Sequence, residues 1–373
     1  MRVIVSGGGT GGHIFPAVSI ADKLRELNPG SEILFVGAEG KMEMEKVPAA
    51  GYRIVGLPIV GLQRQLNLKN IINDLKLPFK LIGSLRKAGK IIKEFKPDVV
   101  VGVGGYASAP LLYMAQRLHY PTLIQEQNGF AGLANKLLAK KADSICVAYE
   151  DMDRFFPKDK IVLSGNPIRP VMNSSLGSRR EEACGFYSMD SSKKHILVIG
   201  GSLGSRTLNN AMKAWIEAGC PGGEGVEVLW QCGKYYKAEM DDFMKAHPCP
   251  GVRHTDFIAR MDLAYALADV VISRSGASSV SEICAIGKAA VFVPSPNVAE
   301  DHQTHNAMAL VRKGAALLVK DSEASEKMLP SALALCADDR KREQIEQGAL
   351  SLAKTQAALT IADEVYRIAE KRK

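Results

Sequence analysis

The first half of the chain alternates short apolar runs with longer segments in which apolar and polar residues mix at helical spacing. The run Val3, Ile4 and Val5 has no polar face, which is typical of a strand buried on both sides of a parallel sheet. The predicted strands are residues 2–6, 32–37, 98–103, 122–126 and 144–148, and the predicted helices are residues 17–27, 109–118 and 133–140, with a long helical region between residues 37 and 98. This alternation predicts an α/β domain with helices on both faces of its sheet.

The second half repeats the scheme after a stretch, residues 164–178, that is rich in Gly, Asn, Pro and Ser. In that stretch Pro167 and Pro170 prevent a helix from continuing, so we place a domain boundary there. The predicted strands are residues 194–199, 226–232, 270–273, 290–294 and 316–319, and the predicted helices are residues 206–218 and 353–373. Two Rossmann-like domains are expected, residues 1–166 and 167–354, with parallel sheets facing across a cleft.

A glycine-rich loop, residues 7–12, joins the first strand to the first helix. Glycines allow positive φ and close approach of the backbone, and the N–H groups at a helix start suit an oxyanion. We therefore expect a pyrophosphate ligand here. Gly7, Gly9 and Gly12 also satisfy the dinucleotide fingerprint, for which Glu39 after the second strand supplies the acid. A turn required only for packing is the structural alternative.

Two more glycine loops follow predicted strands, at residues 102–108 and 200–205. Parallel sheets bind ligands at the carboxyl ends of their strands, where all three loops are expected. A dinucleotide-binding domain needs one such loop. Three loops in two halves favour a diphosphate donor on one side of the cleft and a phosphorylated acceptor on the other.

A run of small and hydroxyl residues, residues 273–282, leads from a predicted strand into a helix start. Glu282 lies in the first turns of that helix, where the helix dipole favours a carboxylate and where it can accept two hydrogen bonds from a vicinal diol such as a ribose. Helix capping is the alternative interpretation of these residues.

Composition narrows the class of protein. The chain has 373 residues, of which 46% are hydrophobic and 24% charged, as in soluble globular proteins. Its seven cysteines are scattered without a Cys-x-x-Cys pair, which predicts neither a zinc site nor a disulfide framework and favours a reducing compartment. The first strand starts so close to Met1 that no signal peptide is expected, and the longest uncharged run, residues 99–116, contains Gly and Pro and is a poor candidate for a membrane span.

The positive charge is placed unevenly along the chain. The whole formal net charge of +8 lies in residues 1–169, and residues 170–373 are neutral overall. Apolar residues at steps of three and four run from residue 68 to 95 with lysines and arginines beside them, which predicts an amphipathic helix kinked at Pro78. Over residues 85–92 we expect the stripe to pack on the sheet, and over residues 68–82 we expect a patch that meets anionic lipid. The residues assigned to the membrane-facing patch are Leu68, Ile71, Ile72, Leu75, Phe79, Lys69, Lys76 and Lys80.

Seven motifs occur in the order and spacing of one family, and together they cover nearly the whole chain. They are residues 8–13 with Phe15 and Pro16, 104–106, 126–128, 164–169, 200–204, 274–282 and 301–307. In these motifs the chain resembles the MurG family of GT-B glycosyltransferases. The resemblance implies an inverting transfer of N-acetylglucosamine (GlcNAc) from UDP-GlcNAc to the 4-hydroxyl of the muramyl sugar of lipid I, a polyprenyl-diphosphate acceptor, to give lipid II in peptidoglycan synthesis.

The resemblance also implies where such an enzyme works. We expect a peripheral protein on the cytoplasmic face of the cell membrane, a C-terminal helix at about residues 355–373 that joins the first domain, no cofactor, no metal and no nucleic acid. An anionic membrane surface and other cell-wall synthesis proteins are the expected partners, with roles in cell shape and division.

Site residues carry over from the family motif by motif. The residues expected to bind UDP-GlcNAc are Thr10, Gly11, Gly12, Asn128, Arg169, Ser202, Ile258, Ala277, Ser278, Ser279, Val280, Ser281, Glu282 and Gln303. The acceptor diphosphate is expected at Gly9, Thr10, Gly11, Gly104, Gly105 and Tyr106. On this resemblance Ser202 meets the donor diphosphate, the Ile258 backbone meets uracil, and Glu282 holds the ribose.

His13 and Asn128 are the candidate catalytic residues. Inversion needs a base for the attacking hydroxyl, and a neutral imidazole suits that task at cytoplasmic pH. A histidine beside a glycine loop serves equally well as a hydrogen-bond donor to phosphate, so both roles stay open. Asp151 and Asp153 follow a strand as a metal-binding Asp-x-Asp does, or else simply begin a helix. The rival functions are a UDP-GlcNAc 2-epimerase of similar fold, an NAD-dependent oxidoreductase and a nucleotide-sugar sensor.

Overall fold

The computed structural model describes residues 1–59, 77–169, 172, 174–201 and 203–370. The chain divides into two units by its internal contacts. The first unit is Met1–Arg169 with Lys354–Lys373, and the second is Pro170–Ala353.

A parallel sheet of seven strands forms the centre of the described part of the first unit. The strands are β1 (Arg2–Ser6), β2 (Glu32–Ala38), β3 (Arg53–Leu57), β4 (Val99–Gly102), β5 (Thr122–Glu126), β6 (Ser144–Val147) and β7 (Ile161–Leu163). Their spatial order is β3-β2-β1-β4-β5-β6-β7. The direction of winding therefore reverses between β1 and β4, the switch point at which such sheets bind ligands.

Helices cover both faces of this sheet because the side chains of each strand alternate between two cores. In β1, Ile4 points to one core, and Val3 and Val5 point to the other. The helices of the first unit that precede the second are α1 (Gly11–Leu27), α2 (Glu43–Ala49), α3 (Leu77–Phe95), α4 (Ser108–Arg117) and α5 (Leu133–Ala139).

The second unit is built in the same way on a parallel sheet. The strands are β8 (Lys194–Ile199), β9 (Val226–Gln231), β10 (Val252–Thr255), β11 (Val270–Ser273), β12 (Ala289–Phe292) and β13 (Leu317–Leu318), in the order β10-β9-β8-β11-β12-β13. The helices are α6 (Arg180–Tyr187), α7 (Arg206–Glu217), α8 (Lys237–Ala246), α9 (Met261–Leu267), α10 (Ala277–Ile286), α11 (His302–Val311), α12 (Ala324–Ala337) and α13 (Asp339–Ser351). Its switch point lies between β8 and β11.

Short 3-10 helices fill several connections. They are Met152–Arg154, Lys158–Lys160, Ser174–Arg179, Lys234–Tyr236, Ala299–Asp301 and Asp321–Glu323.

The C-terminal helix α14 (Ala357–Glu370) returns to the first unit. It packs on α1 and on the sheet, and its Ile361 and Val365 side chains are fully buried in the same core as Val3. Glu364 accepts a hydrogen bond from the Ser144 hydroxyl at 2.8 Å, across the end of β6. The last helix is thus an integral part of the first unit's core.

The predicted α/β class and the pair of parallel-sheet, Rossmann-like domains are confirmed. Three strands that the hydrophobic pattern did not reveal are β3, β7 and β10, and the long helical region predicted between residues 37 and 98 is wrong because β3 interrupts it. All three are short strands at sheet edges. An edge strand is only partly covered, so it lacks the continuous apolar run that marks a central one.

Helix α1 also begins earlier than predicted, at Gly11 instead of residue 17, so Gly11 and Gly12 form its first turn. In α3, Ile92 and Phe95 are buried in the core, as expected for the second half of the amphipathic stripe. Six of the eight membrane-facing residues, Leu68, Lys69, Ile71, Ile72, Leu75 and Lys76, lie outside the described residues, as does the side chain of Phe79.

Truncation of a core contact of α14 tests how firmly this helix holds the first unit. We expect Ile361→Ala to lower the free energy of unfolding by about 2–5 kcal/mol, because it leaves a cavity at a fully buried site. Urea unfolding followed by circular dichroism measures the change. Asp363→Ala, at an exposed position of the same helix, is the control and is expected to stay within about 0.5 kcal/mol of the parent. Equal stability of the two variants would contradict this packing.

Candidate active site

Two glycine loops of the first unit touch each other beyond the ends of β1 and β4. The Gly8 N–H donates to the Gly104 carbonyl at 3.3 Å. Gly105 has a φ of +90°, and a Cβ there would lie 2.4 Å from the Gly8 carbonyl oxygen, so only glycine fits. The loops that the sequence predicted as phosphate cradles therefore form one continuous backbone surface.

The carboxylate of Glu43 closes the inner side of this surface. It accepts the N–H of Gly9 at 2.8 Å and the N–H of Ala38 at 3.0 Å, and the residue is only 1% exposed. The Gly9 amide is therefore already donated within the protein. Sequence reasoning missed Glu43. In the sequence it resembles Glu45, two residues further along α2, which is exposed in the structure, so nothing local marks Glu43 as the buried one.

The outer side of the surface carries aromatic rings and the start of α1. Tyr106 is 48% exposed, and its ring lies 3.9 Å from the position that a Cβ on Gly9 would take. Thr10 is the N-cap of α1 in extended conformation, and its side chain makes no capping hydrogen bond. The helix start at Gly11 and Gly12 thus presents main-chain amides beside an aromatic ring, which suits a phosphorylated ligand.

His13 lies in the first turn of α1 and is half-buried. Its Nδ1 is 2.9 Å from the side-chain oxygen of Gln127, which follows β5. Gln127 belongs to a buried set of amide side chains with Gln125 and Asn166. Sequence reasoning gave no role to Gln125, or to Gln127 within the motif 126–128, although two glutamines in and just after a fully buried strand are themselves a signal.

Asn128 is positioned by the neighbouring Glu126. The Glu126 Oε1 accepts both the main-chain N–H of Asn128, at 3.1 Å, and its side-chain amide, at 3.3 Å. The Oε2 accepts from the Gly132 N–H and from Asn135. One buried carboxylate thus organises the whole loop that carries Asn128.

In the second unit, the loop after β8 packs against the end of β9. Gln231 accepts the Gly200 N–H at 3.2 Å and donates to the Gly201 carbonyl at 2.8 Å. Gly204 has a φ of +83°, and a Cβ there would lie 2.2 Å from the Cys232 carbonyl oxygen. Ser202, expected at the donor diphosphate, lies outside the described residues.

The loop between β11 and α10 is held from two sides. Arg274 donates to the Val293 carbonyl at 2.9 Å and pairs with Asp321 at 2.5 Å. Ser275 donates to the Gln303 carbonyl at 2.8 Å, and Asn306 donates to the Ser275 carbonyl at 3.2 Å. These contacts fix the start of α10, where Gly276 is an N-cap with no side chain of its own.

The residues expected on α10 therefore lie together in its first turns. Ala277, Ser278 and Ser279 are partly exposed at the helix start, and Val280 is buried behind them. The carboxylate of Glu282, 8% exposed, accepts from the buried Tyr265 hydroxyl at 3.4 Å. The helix start and the carboxylate thus combine an amide-lined anion site with an acceptor of hydroxyl groups.

The remaining predicted residues are more dispersed. Ile258 is buried after β10, and the Gln303 side-chain oxygen accepts the Ser295 N–H at 2.9 Å, so this amide supports a loop. Arg169 is half-buried at the end of the first unit. Asp151 and Asp153 are both exposed; Asp151 precedes the 3-10 helix Met152–Arg154, and Asp153 lies within it.

Among residues 1–59, 77–169, 172, 174–201 and 203–370, no group of three or more His, Cys, Asp or Glu side chains is placed to hold a metal ion. In the same residues, no helix is both long and apolar enough to cross a bilayer.

Comparison with known families matches the chain in two parts. Residues 3–147 match the glycosyltransferase family 28 N-terminal domain, and residues 195–365 match the glycosyltransferase family 28 C-terminal domain. The first match spans β1 to β6, and the second spans β8 to β13 and continues into α14.

Individual relatives extend the likeness over the full length. A protein of Parabacteroides distasonis named UDP-N-acetylglucosamine–N-acetylmuramyl-(pentapeptide) pyrophosphoryl-undecaprenol N-acetylglucosamine transferase is 52% identical over 100% of this chain and 99% of its own. The crystal structure of Acinetobacter baumannii MurG superposes with a TM-score of 0.77 at 27% identity, covering 98% of this chain and 99% of that one. A UDP-GlcNAc 2-epimerase of Neisseria meningitidis, at 14% identity and a TM-score of 0.67 over 98% of this chain and 100% of its own, shares the fold.

Removal of the Glu43 charge tests its hold on the glycine loop. We expect Glu43→Gln to destabilise the protein by about 1–3 kcal/mol and to speed amide exchange at Gly9 and Ala38, because an amide offers one acceptor where the carboxylate offers two. Hydrogen–deuterium exchange with peptide-level resolution measures the effect.

Glu45→Gln, at an exposed position of the same helix, is the control for this experiment. It removes the same charge without touching the loop, so its exchange is expected to match the parent. Unchanged protection of Gly9 in the Glu43 variant would show that the carboxylate does not hold the loop.

Proposed function

The chain belongs to glycosyltransferase family 28, and from this premise we propose that it transfers GlcNAc from UDP-GlcNAc to the undecaprenyl-diphosphate-linked muramyl peptide lipid I, forming lipid II. The observation that carries the proposal is the 52% identity, over essentially the whole of both chains, to a relative named for that reaction. Identity of this kind spans both units, so donor and acceptor halves are matched together.

The second unit is the proposed donor site. The start of α10 and the loop after β8 supply main-chain amides for the diphosphate, and Ser202 belongs to that loop. Glu282 is proposed to accept hydrogen bonds from the ribose hydroxyls; its Oε2 also accepts from the Tyr265 hydroxyl, within the protein, at 3.4 Å. The backbone near Ile258 is the proposed partner of uracil, and Gln303 is proposed to contact the sugar. Arg169, the last residue of the first unit before the second begins, is proposed to offset the phosphate charge.

The first unit is the proposed acceptor site. Gly104, Gly105 and Tyr106 on one loop, and Thr10, Gly11 and Gly12 on the other, form the surface offered to the acceptor diphosphate. Because the Gly9 N–H is donated to Glu43, we assign Gly9 a steric role, with its φ of +86° and no side chain, in place of a phosphate contact.

The proposed chemistry is a single displacement with inversion. His13 takes the proton of the acceptor 4-hydroxyl as its oxygen attacks the anomeric carbon, the bond from that carbon to the diphosphate breaks, and UDP leaves with the electron pair. The amide-lined start of α10 stabilises the charge that develops on UDP, so this scheme uses no cofactor and no metal. Asn128, held by Glu126, is proposed to orient the reacting sugar.

One assay separates this function from its rivals. Incubation with radiolabelled UDP-GlcNAc and a short-chain lipid I analogue is expected to move the label into the lipid product. Label recovered as UDP-ManNAc would identify an epimerase, and label left in UDP-GlcNAc would indicate a sensor. Either result would contradict the proposal.

The first unit also offers a surface for docking at an anionic membrane, the proposed location of the enzyme. Helix α3 packs on α4 and α4 packs on α5, and all three expose large apolar residues. They are Leu81, Ile82, Tyr113, Leu133 and Leu137, of which Leu133 is 67% and Leu137 74% exposed. Lys140, Lys141 and Arg117 lie exposed beside them, the combination expected of an interfacial surface. Other cell-wall synthesis proteins are proposed as further partners.

The donor site is tested by neutralising its carboxylate. We expect Glu282→Gln to weaken UDP affinity by about tenfold or more, because a hydrogen bond to a charged acceptor contributes about 1.5–3 kcal/mol. Isothermal calorimetry on the folded variant measures it. Glu217→Gln, exposed at the end of α7, is the matched control. UDP affinity within twofold of the parent would remove Glu282 from the site.

The membrane surface is tested with vesicles of phosphatidylglycerol. We expect Leu133→Ser/Leu137→Ser to lower sedimentation with vesicles by about tenfold at low salt, because apolar contacts and charge both contribute to interfacial binding, and high salt to weaken binding further. The Lys69/Lys76/Lys80→Glu variant is expected to act in the same direction.

Turnover of a short-chain soluble acceptor is expected to survive in these variants. Phe186→Ser, which removes an exposed aromatic residue of the second unit, is the control and should sediment like the parent. Equal sedimentation of all variants would show that these residues do not form the docking face.

A further inference from the structure

We propose that Gln127 is a positioning residue that fixes which nitrogen of His13 carries the proton. The inference deepens the proposed function and rests on it in one respect, namely that His13 acts as the base. It concerns the side chains behind the histidine, in a layer where no substrate contact has been assigned.

The orientation of the Gln127 amide is set by the main chain. Its side-chain nitrogen lies 2.6 Å from the Val103 carbonyl oxygen, which can only accept a hydrogen bond. The NH2 group must therefore face Val103 and the amide oxygen must face the other way, toward His13.

The main-chain carbonyl of Gln127 fixes the Asn166 amide, and this supports the same orientation of the Gln127 side chain through Gln125. Asn166 donates its NH2 to the Gln127 carbonyl at 3.0 Å, so its side-chain oxygen is the atom that accepts from Gln125, also at 3.0 Å. The oxygen of Gln125 then faces the Gln127 NH2. In each of these hydrogen bonds a donor meets an acceptor in this arrangement only, and reversing any one of the three amides would set two donors or two acceptors face to face.

Burial keeps this arrangement unique. Gln125 is 0% exposed, and Gln127 and Asn166 are each 3% exposed, so solvent is not at hand to satisfy a reversed amide. The hydrogen bonds among these three side chains also connect β5, which carries Gln125, to the segment after β7, which carries Asn166.

The orientation of the Gln127 amide determines the tautomer of His13. Because the oxygen of Gln127 accepts, Nδ1 of His13 at 2.9 Å must donate, and the neutral ring then carries its lone pair on Nε2. In water a histidine side chain prefers the opposite tautomer. Gly104 leaves room for the ring in this position, since a Cβ there would lie 2.7 Å from Nδ1. The structure thus presents Nε2 as the atom that takes the acceptor proton.

The tautomer is read directly by nitrogen-15 NMR of the full-length protein labelled at histidine, at a pH where the rings are neutral. The chain has seven histidines, and the spectrum of His13→Gln identifies the signals of this one. The parent is expected to show a protonated Nδ1. A protonated Nε2 in the parent would overturn the proposal without any variant being made.

Gln127→Met removes the acceptor while keeping a side chain of similar length. It is expected to shift the His13 signals toward protonated Nε2 and to lower kcat by about 10-fold to 100-fold, as for other groups that orient an imidazole, with KM for UDP-GlcNAc little changed. Gln116→Met is the matched control, because Gln116 also donates to a main-chain carbonyl, that of Leu138, but faces no histidine.

The control is expected to leave both the tautomer and kcat at the parent values. An unchanged tautomer in Gln127→Met, or an equal shift in Gln116→Met, would overturn the proposal. The NMR readout needs no substrate, so the tautomer can be confirmed even if the transfer assay assigns another reaction. Equally, the wrong tautomer in an active transferase would refute this inference alone.

Discussion

Parallel strand pairing is the constraint on which the candidate site depends in each unit. It brings the carboxyl ends of the strands to one edge of a sheet, so loops far apart in sequence meet there. In the first unit this places the loop after β1 against the loop after β4, with their glycines in backbone contact. In the second, it places the loop after β8 against the end of β9. A bulkier residue at Gly105 or Gly204 would push those loops apart.

Buried polar side chains convert these edges from bare loops into fixed surfaces. Glu43 and Glu126 each accept main-chain amides from a loop, and Gln231 both donates and accepts. A buried carboxylate is stable only where it is fully hydrogen-bonded, so each one specifies a single loop conformation. The amide chain of Gln125, Gln127 and Asn166 follows the same rule. Rigidity before a ligand arrives is what an electrostatic site requires.

Much of the fold follows from local sequence pattern. The buried polar side chains that hold the glycine loops do not. The central strands β1 and β8 were predicted at their observed bounds because strands buried on both faces have continuous apolar runs. The edge strands β3 and β10 lack that signal and were missed. Glycine loops are also visible in sequence, because only glycine adopts their backbone angles at low cost.

Glu43, Gln127 and Gln231 escaped prediction for a different reason. Each acts through a partner that the sheet, not the sequence, brings near: Gln127 contacts a residue 114 positions away, and Glu43 one 34 positions away. The assignment of Glu282 to a ribose follows from its place in the first turns of a helix as well as from family resemblance; the other donor contacts follow from the resemblance alone, and all of them are proposals. The structure contributes the position of Glu282 on α10, whose start supplies main-chain amides.

The central claim is that His13, beside the first unit's glycine loops, is the base that takes the proton of the acceptor hydroxyl. The most direct measurement takes kcat for transfer and the Kd for UDP-GlcNAc on one preparation of His13→Ala. The account predicts a fall in kcat of about 10²–10⁴-fold, the usual effect of losing a general base. It also predicts a UDP-GlcNAc affinity within about threefold of the parent. The reason is that the contact of His13 with the attacking hydroxyl contributes in the transition state and not to donor binding. Equal losses in kcat and in affinity would contradict the account and make His13 a hydrogen-bond donor to the bound nucleotide sugar.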